Sequence, residues 1–207
     1  MTNTSNNAVN ALLRAAQRSR YAKRNYAICQ MLLQTGMRLG ECQALRWQDL
    51  LYKERQGTVF IRAGKGNKAR SIPLNGSVRM AIADYVAPKL NCATTPKAVV
   101  TAWVNLPMHD SIWISQKGKA LTSSAIWRMF IGLVADCAAR GLLPATTKPH
   151  DLRHTFALRY LEQHPGDLVG LARILGHESL ETTKVYLRLS GDDLAERVEA
   201  IGLNAYE

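Results

Sequence analysis

The sequence predicts a mainly helical fold with one small antiparallel β-sheet, an α+β class, on three observations. Apolar residues recur at three- and four-residue spacing through several separate segments. A single pair of alternating runs, TVFIRA and ARSIPL, brackets the turn-forming GKGNK. The 207 residues, 47% of them hydrophobic, suffice for one sizeable core.

Taken in order, residues 1–8 are polar and expected to be disordered, and residues 8–17 form a short amphipathic helix. Residues 21–35 form a longer helix with Tyr26, Ile28, Leu32 and Leu33 inward, broken at Thr35-Gly36. Residues 37–47 read as a turn into a short helix with Arg38 and Glu41 at i and i+3. Such a pair is most often a surface ion pair of little energetic weight. In the hairpin, alternation sets Val59 and Ile61 against Ile72 and Leu74, and Lys65 falls at the tip. A phosphate-binding P-loop is excluded there, because no Ser or Thr follows the Gly-Lys pair and no helix opens.

Residues 76–90 predict a helix ending around Pro88. Residues 91–110 show no period and read as a connector, followed by a short strand, SIWIS, and a QKGK turn. Residues 121–140 form a helix capped by Thr122 or Ser123, with Ile126, Phe130, Leu133 and Val134 inward.

The last third carries the chemistry. HDLRHTFALRYLEQ has helical spacing, so His150 and Arg153 point from one face. His177 and Tyr186 are nine residues apart and would face opposite ways on one unbroken helix. Gly176 ends DLVGLARIL, and Ser179 can cap a new helix through LETTKVYLRL, so His177 lies at an elbow and converges with Tyr186. Arginine grips phosphate oxygens, histidine exchanges protons near neutral pH, and an ionised phenol can attack phosphorus. Beyond Tyr186, residues 191–207 predict a last helix with Leu194, Val198, Ile201 and Leu203 in an apolar stripe.

Composition bounds the partners. A formal net charge of +11 with a pI near 9.8 favours a polyanion such as nucleic acid. Cys29, Cys42, Cys92 and Cys137 have neither metal-ligand nor paired spacing and read as reduced, packed thiols. No apolar run approaches the roughly 20 residues of a membrane span, and MTNTSNNAVN does not resemble a signal peptide. A cytoplasmic location away from membranes is expected.

Three boxes together, His150-Asp-Leu-Arg153, Leu175-Gly176-His177 and Tyr186 nine residues on, resemble those of the tyrosine recombinase (phage integrase) family, especially its Xer-like members. TGMRLGECQALRWQDL is similar to that family's first box and GKGNKARSIPL to its hairpin. The resemblance spans nearly the whole chain as one catalytic domain, the fold shared with type IB topoisomerases. It leaves no room for a separate N-terminal core-binding domain, so the chain is either a short member of the family or a piece of a longer protein.

The resemblance also implies roles. Arg38, Arg153 and His177 would hold the scissile phosphate, with Glu41 supporting Arg38. His150 would accept the phenol proton of Tyr186, the nucleophile, and Lys65 would protonate the leaving 5′ oxygen. Lys68, Arg70, Lys117 and Arg128 are candidate DNA contacts, while His154 reads as a core-side hydrogen bonder. The partner implied is double-stranded DNA bearing recombination sites, with self-association into a synaptic tetramer and no metal or cofactor. Rival readings are a DNA-relaxing topoisomerase, a regulator without catalysis, and a zinc protease built on His150-Asp-x-x-His154, in which Asp replaces the required Glu.

Overall fold

Helix α2 (Ala22–Thr35) is the axis of the fold. Ala27, Ile28, Cys29 and Met31 are wholly buried, and the polar Asn25 and Gln30 are buried with them, so the helix is enclosed on every side. The enclosed amides have partners: Asn25 Nδ2 donates to Ser19 Oγ at 2.9 Å and Gln30 Nε2 to the Tyr26 hydroxyl at 2.9 Å. The computed structural model describes residues 6–62, 69–177 and 179–186. Within them α2 packs against α1 (Asn6–Arg18), α4 (Gly76–Leu90) and α7 (Pro149–Gln163), while α6 (Ser123–Ala138) lies on α1 and on the short α3 (Leu39–Ala44).

Strands β1 (Leu50–Tyr52), β2 (Gly57–Ile61) and β3 (Arg70–Pro73) form one antiparallel sheet in the order β1-β2-β3. Val59 pairs with Ile72 and Ile61 with Arg70. Val59, Ile61, Ile72 and Leu74 are buried, as the alternation predicts. The tip of this hairpin, with Lys65 and Lys68, lies outside the described residues. After the sheet come α4, α5 (Pro96–Ala102), α6 and α7, then α8 (Leu168–Leu175) and the single turn α9 (Glu181–Lys184).

Local chemistry explains the starts and stops. The side chains of Asn75, Thr95, Thr122 and Asp167 accept N–H groups in the first turns of α4, α5, α6 and α8. At α3 and α7 the acid three residues on reaches back: Glu41 takes the Arg38 N–H at 2.7 Å, and Asp151 takes the Lys148 N–H at 2.7 Å. Gly36 and Gly176 end α2 and α8 with φ of 62° and 68°, the left-handed conformation that glycine adopts without strain.

Several expectations are corrected. Residues 6–8 are not disordered but begin α1, with Ala8 buried. The supposed connector holds α5 and a 3₁₀ turn at Trp103–Asn105, and Trp103 stacks on Tyr52 with centroids 4.8 Å apart. SIWIS makes only isolated bridges, Arg46 to Ser111 and Ile114 to Ala120, because Trp113 is drawn inward and donates Nε1–H to the Cys42 carbonyl at 2.7 Å. Pro88 does not stop α4, which runs on to Leu90 and ends at Asn91 with φ 49°. Of the helix expected over residues 179–189, α9 covers Glu181–Lys184, and the predicted last helix lies outside the described residues.

Gly36 gives the fold a testable point. A Cβ there would lie 2.5 Å from Phe156 Cδ1 and 2.8 Å from Leu175 Cδ2, on a backbone already at positive φ. Gly36→Ala should therefore lower unfolding free energy by at least about 2 kcal/mol, measured by denaturant titration.

Candidate active site

Arg153 sits in the second turn of α7 and is only 2% exposed. Its Nη1 donates to the Gly36 carbonyl at 2.7 Å and its Nη2 to the Leu175 carbonyl at 2.8 Å. Both carbonyls belong to helix C-termini, where unpaired oxygens and the helix dipole favour a cation. Nη2 also lies 2.9 Å from His177 Nε2. A guanidinium only donates, so Nε2 accepts, the ring proton is on Nδ1, and Nδ1–H is donated to Thr183 Oγ1 at 2.8 Å. Burial and the like charge of Arg38 bring the Arg153 guanidinium down to about 10, still protonated at neutral pH.

His177 follows the left-handed Gly176, so it projects from the elbow rather than from α8. Burial lowers its pKa to about 4, helped by the charges of Arg153, Arg38, Arg70 and His150. That list locates the site: cations from α3, β3 and α7 all act on one imidazole. Arg38, at the start of α3, keeps its side chain 45% exposed while pairing with Glu41 at 3.2 Å. His150 is exposed on the first turn of α7, its pKa lowered by desolvation and by Arg153 and Arg38.

Arg70 is a correction. The sequence suggested a contact to DNA, but its side chain is 7% exposed and makes two bonds to the Glu41 carboxylate, at 2.8 and 2.9 Å. Its Nε donates to the Ile174 carbonyl at 2.7 Å. The guanidinium thus fastens β3 and α3 to the end of α8. Burial alone would raise the Glu41 carboxyl, yet bonds from Arg70 and Arg38 bring it down to about 2. Lys117 and Arg128 are exposed, as backbone contacts would have to be.

Tyr186 is buried with Leu158, Leu161, Leu171 and Leu175, and burial raises its phenol while Arg153 opposes the shift. Its oxygen lies 2.8 Å from His154 Nδ1, and no such bond joins it to His150, the proton acceptor that the resemblance implied. His154 does make a hydrogen bond, as expected, but to the candidate nucleophile. His150 and His154 meet edge to face at 4.5 Å. Sequence reasoning missed Thr183, wholly buried, whose hydroxyl receives the Nδ1–H of His177; nothing in the sequence marks it. No group of three or more side chains that could hold a metal ion occurs among the described residues.

The fold is that of tyrosine recombinase catalytic domains. The crystal structure of XerA recombinase matches all of this chain and 65% of that one, with a TM-score of 0.69 and 25% identity. A XerH recombinase bound to its difH substrate matches 98% of this chain and 54% of that one, with a TM-score of 0.70 and 24% identity, a likeness of fold. Tyrosine recombinase XerC of Oceanobacillus iheyensis is 33% identical over 174 residues, 84% of this chain and 52% of that protein. The model of the phage integrase family matches residues 2–192, and the chain belongs to that family. It spans about half the length of the curated relatives it matches.

Two outcomes follow from the electrostatics. With His177 held near 4, the folded state binds its proton later than the unfolded chain, whose histidines titrate near ~6.5. Stability is then full above about pH 6.5 and falls toward pH 4, and this slope should be shallower in His177→Gln when unfolding is followed against pH. Arg70→Ala should cost about 3 kcal/mol in the same assay by stripping a buried carboxylate of its main partner, an effect a surface phosphate contact would not have.

Proposed function

We infer that this chain is the catalytic domain of a site-specific DNA recombinase, which cuts and rejoins duplex DNA through a 3′-phosphotyrosyl link to Tyr186. The observation that carries the reading is the contact of Arg153 with His177 in the field of Arg38, with Tyr186 near enough to Arg153 for the charges to interact. A phosphodiester is an anion that gains a second negative charge as a nucleophile adds, and donors already in place lower that barrier most.

Three of the five N–H groups of Arg153 are engaged with Gly36, Leu175 and His177, which leaves others to reach a non-bridging oxygen. Arg38, half exposed, supplies a second guanidinium. In the unliganded site His177 is neutral and its Nε2 lone pair faces Arg153. A phosphate there would reverse the local field, raise the imidazole pKa and let Nε2 take a proton to donate to the anion. Attack by Tyr186 forms the O–P bond and breaks the bond to the 5′ oxygen, which leaves with a proton from Lys65 in the hairpin. Because the phosphotyrosine keeps the ester's free energy, a second 5′ hydroxyl can reverse the step without ATP, and these cations neutralise the phosphate without a metal.

The partner is duplex DNA in the cytoplasm, drawn by the net charge of +11 and contacted also by Lys68, Lys117 and Arg128. Strand exchange needs two duplexes cut at both strands, so the working assembly is a tetramer of this chain on paired sites. Among the described residues no helix is long and apolar enough to cross a membrane.

The test is a pool of nicked duplexes with randomised cores, followed by denaturing electrophoresis. A covalent protein–DNA adduct should form and be absent in Tyr186→Phe; an adduct that survives that change removes the proposed nucleophile. Arg153→Lys should slow adduct formation by roughly 100- to 1,000-fold, since a lysine cannot hold Gly36, Leu175 and the phosphate together.

A further inference from the structure

Resting on that reading and extending it away from the catalytic groups, the charge pattern of the chain defines a second surface for DNA. Residues 1–40 contain no Asp or Glu, and neither do residues 111–135, although the chain has 16 acids. The fold brings these two acid-free stretches together at one corner. Tyr21, in the bend between α1 and α2, donates its hydroxyl to Gln116 Oε1 at 2.5 Å, and Arg20 Nη2 reaches the same oxygen at 3.5 Å. Arg24, in the first turn of α2, donates Nη1–H to the Ile114 carbonyl at 3.0 Å and so fastens the two stretches. The Tyr21 ring also steadies both guanidiniums, with Arg24 at 4.5 Å and Arg20 at 5.4 Å from its centroid.

The other side of the corner is a tight turn. Ser115 donates its N–H to the Lys119 carbonyl at 2.8 Å and Gly118 to the Ser115 carbonyl at 3.0 Å, and Lys117 and Lys119 are both exposed on it. Arg20 and Lys23 are exposed as well, and among the described residues no ion pair joins Arg20, Lys23, Lys117 or Lys119 to a carboxylate. Like charges gathered without acids repel one another in the free protein, and a polyanion relieves that repulsion. None of the exposed large apolar side chains among the described residues falls in 18–24 or 115–120, so the corner suits a phosphate backbone rather than a protein partner anchored by apolar groups.

We propose that Arg20, Lys23 and Lys119, together with Lys117, form a platform that holds the duplex backbone at a distance from the scissile phosphate. Helix α2 sets the distance. Its first turn carries Arg24, and the residue that ends it, Gly36, offers the carbonyl held by Arg153, so its 14 residues separate corner from site by about 21 Å. At 3.4 Å per base step that is about six base pairs of straight duplex. Backbone contacts of this kind fix the register of the protein on DNA without reading sequence.

The test removes the charge in the combined variant Arg20→Gln, Lys23→Gln, Lys119→Gln. A second combined variant, Lys53→Gln, Arg55→Gln, Arg140→Gln, takes the same charge from exposed positions elsewhere. For binding to a plain duplex followed by fluorescence anisotropy, the slope of log affinity against log salt should become shallower by about 2 to 3 in the first variant, near 0.9 per lost phosphate contact, and keep its wild-type value in the second. On the nicked-duplex pool at subsaturating protein, the first variant should form adduct roughly 10-fold more slowly than wild type. Trimming the flank on one side of the nick below about six base pairs should erase that difference, because the corner then has no DNA to hold. An unchanged slope in the first variant, an equal loss in the second, or a rate difference that survives trimming of either flank overturns the platform, while the wild-type adduct still supports the recombinase reading. A wild-type chain that forms no adduct, yet loses slope only in the first variant, removes the recombinase reading and keeps the corner as a DNA contact.

Discussion

A single buried guanidinium holds the site together. Arg153 joins the C-terminal carbonyls of α2 and α8 to the imidazole at the elbow after α8, all within hydrogen-bond distance. None of these partners carries a negative charge. The cation is satisfied by dipoles, so its charge is not cancelled by a partner in direct contact. Burial ordinarily penalises such an arrangement by several kcal/mol per ion. Two helix ends, each with oxygens lacking partners of their own, offset that penalty.

Arg70 shows the alternative. It is buried like Arg153 but is paired with Glu41, so it stiffens the site. The two arginines grip successive carbonyls, Ile174 and Leu175, at the end of α8, one from the sheet and one from α7. That end is thereby fixed from two directions, and with it His177, two residues further along. The structure divides its cations accordingly: Arg70 positions, while Arg38 and Arg153 keep charge to offer.

Much of this was legible in the sequence where local rules decide. Gly36 and Gly176 break helices because each needs a left-handed backbone, and helical spacing put His150 and Arg153 on one face. Other features had a signal that the expectation did not use. Thr95-Pro96 is a capping residue followed by the proline favoured in a first turn, which marks α5. The alternation that sends Ile72 and Leu74 inward also sends Arg70 inward, which argues against a surface role from the sequence alone. The three-residue β1 and the bridging at residues 111–115 are set by tertiary pairing, which no local pattern announces. Likewise His154 and Tyr186 are 32 residues apart, and only the packing of α7 against the turn after α8 brings their atoms together.

The same geometry ties stability to chemistry. Arg153, His177 and Tyr186 make their contacts through α8 and the turn that follows it, a small cluster separate from the main core around α2. Loosening α8 therefore displaces every group contributed from residue 175 onward, whichever side chain is changed. A loss of activity on substituting Arg153 mixes a missing phosphate donor with a displaced elbow, and the rate alone cannot apportion them. Substitutions that keep the hydrogen bond and remove only the charge or the proton, such as glutamine for a histidine, leave the scaffold in place and report on the chemistry. The site is best understood as two layers, an inner one in which carbonyls and Glu41 secure Arg153 and Arg70, and an outer one in which Arg38 keeps its side chain half exposed beside His177.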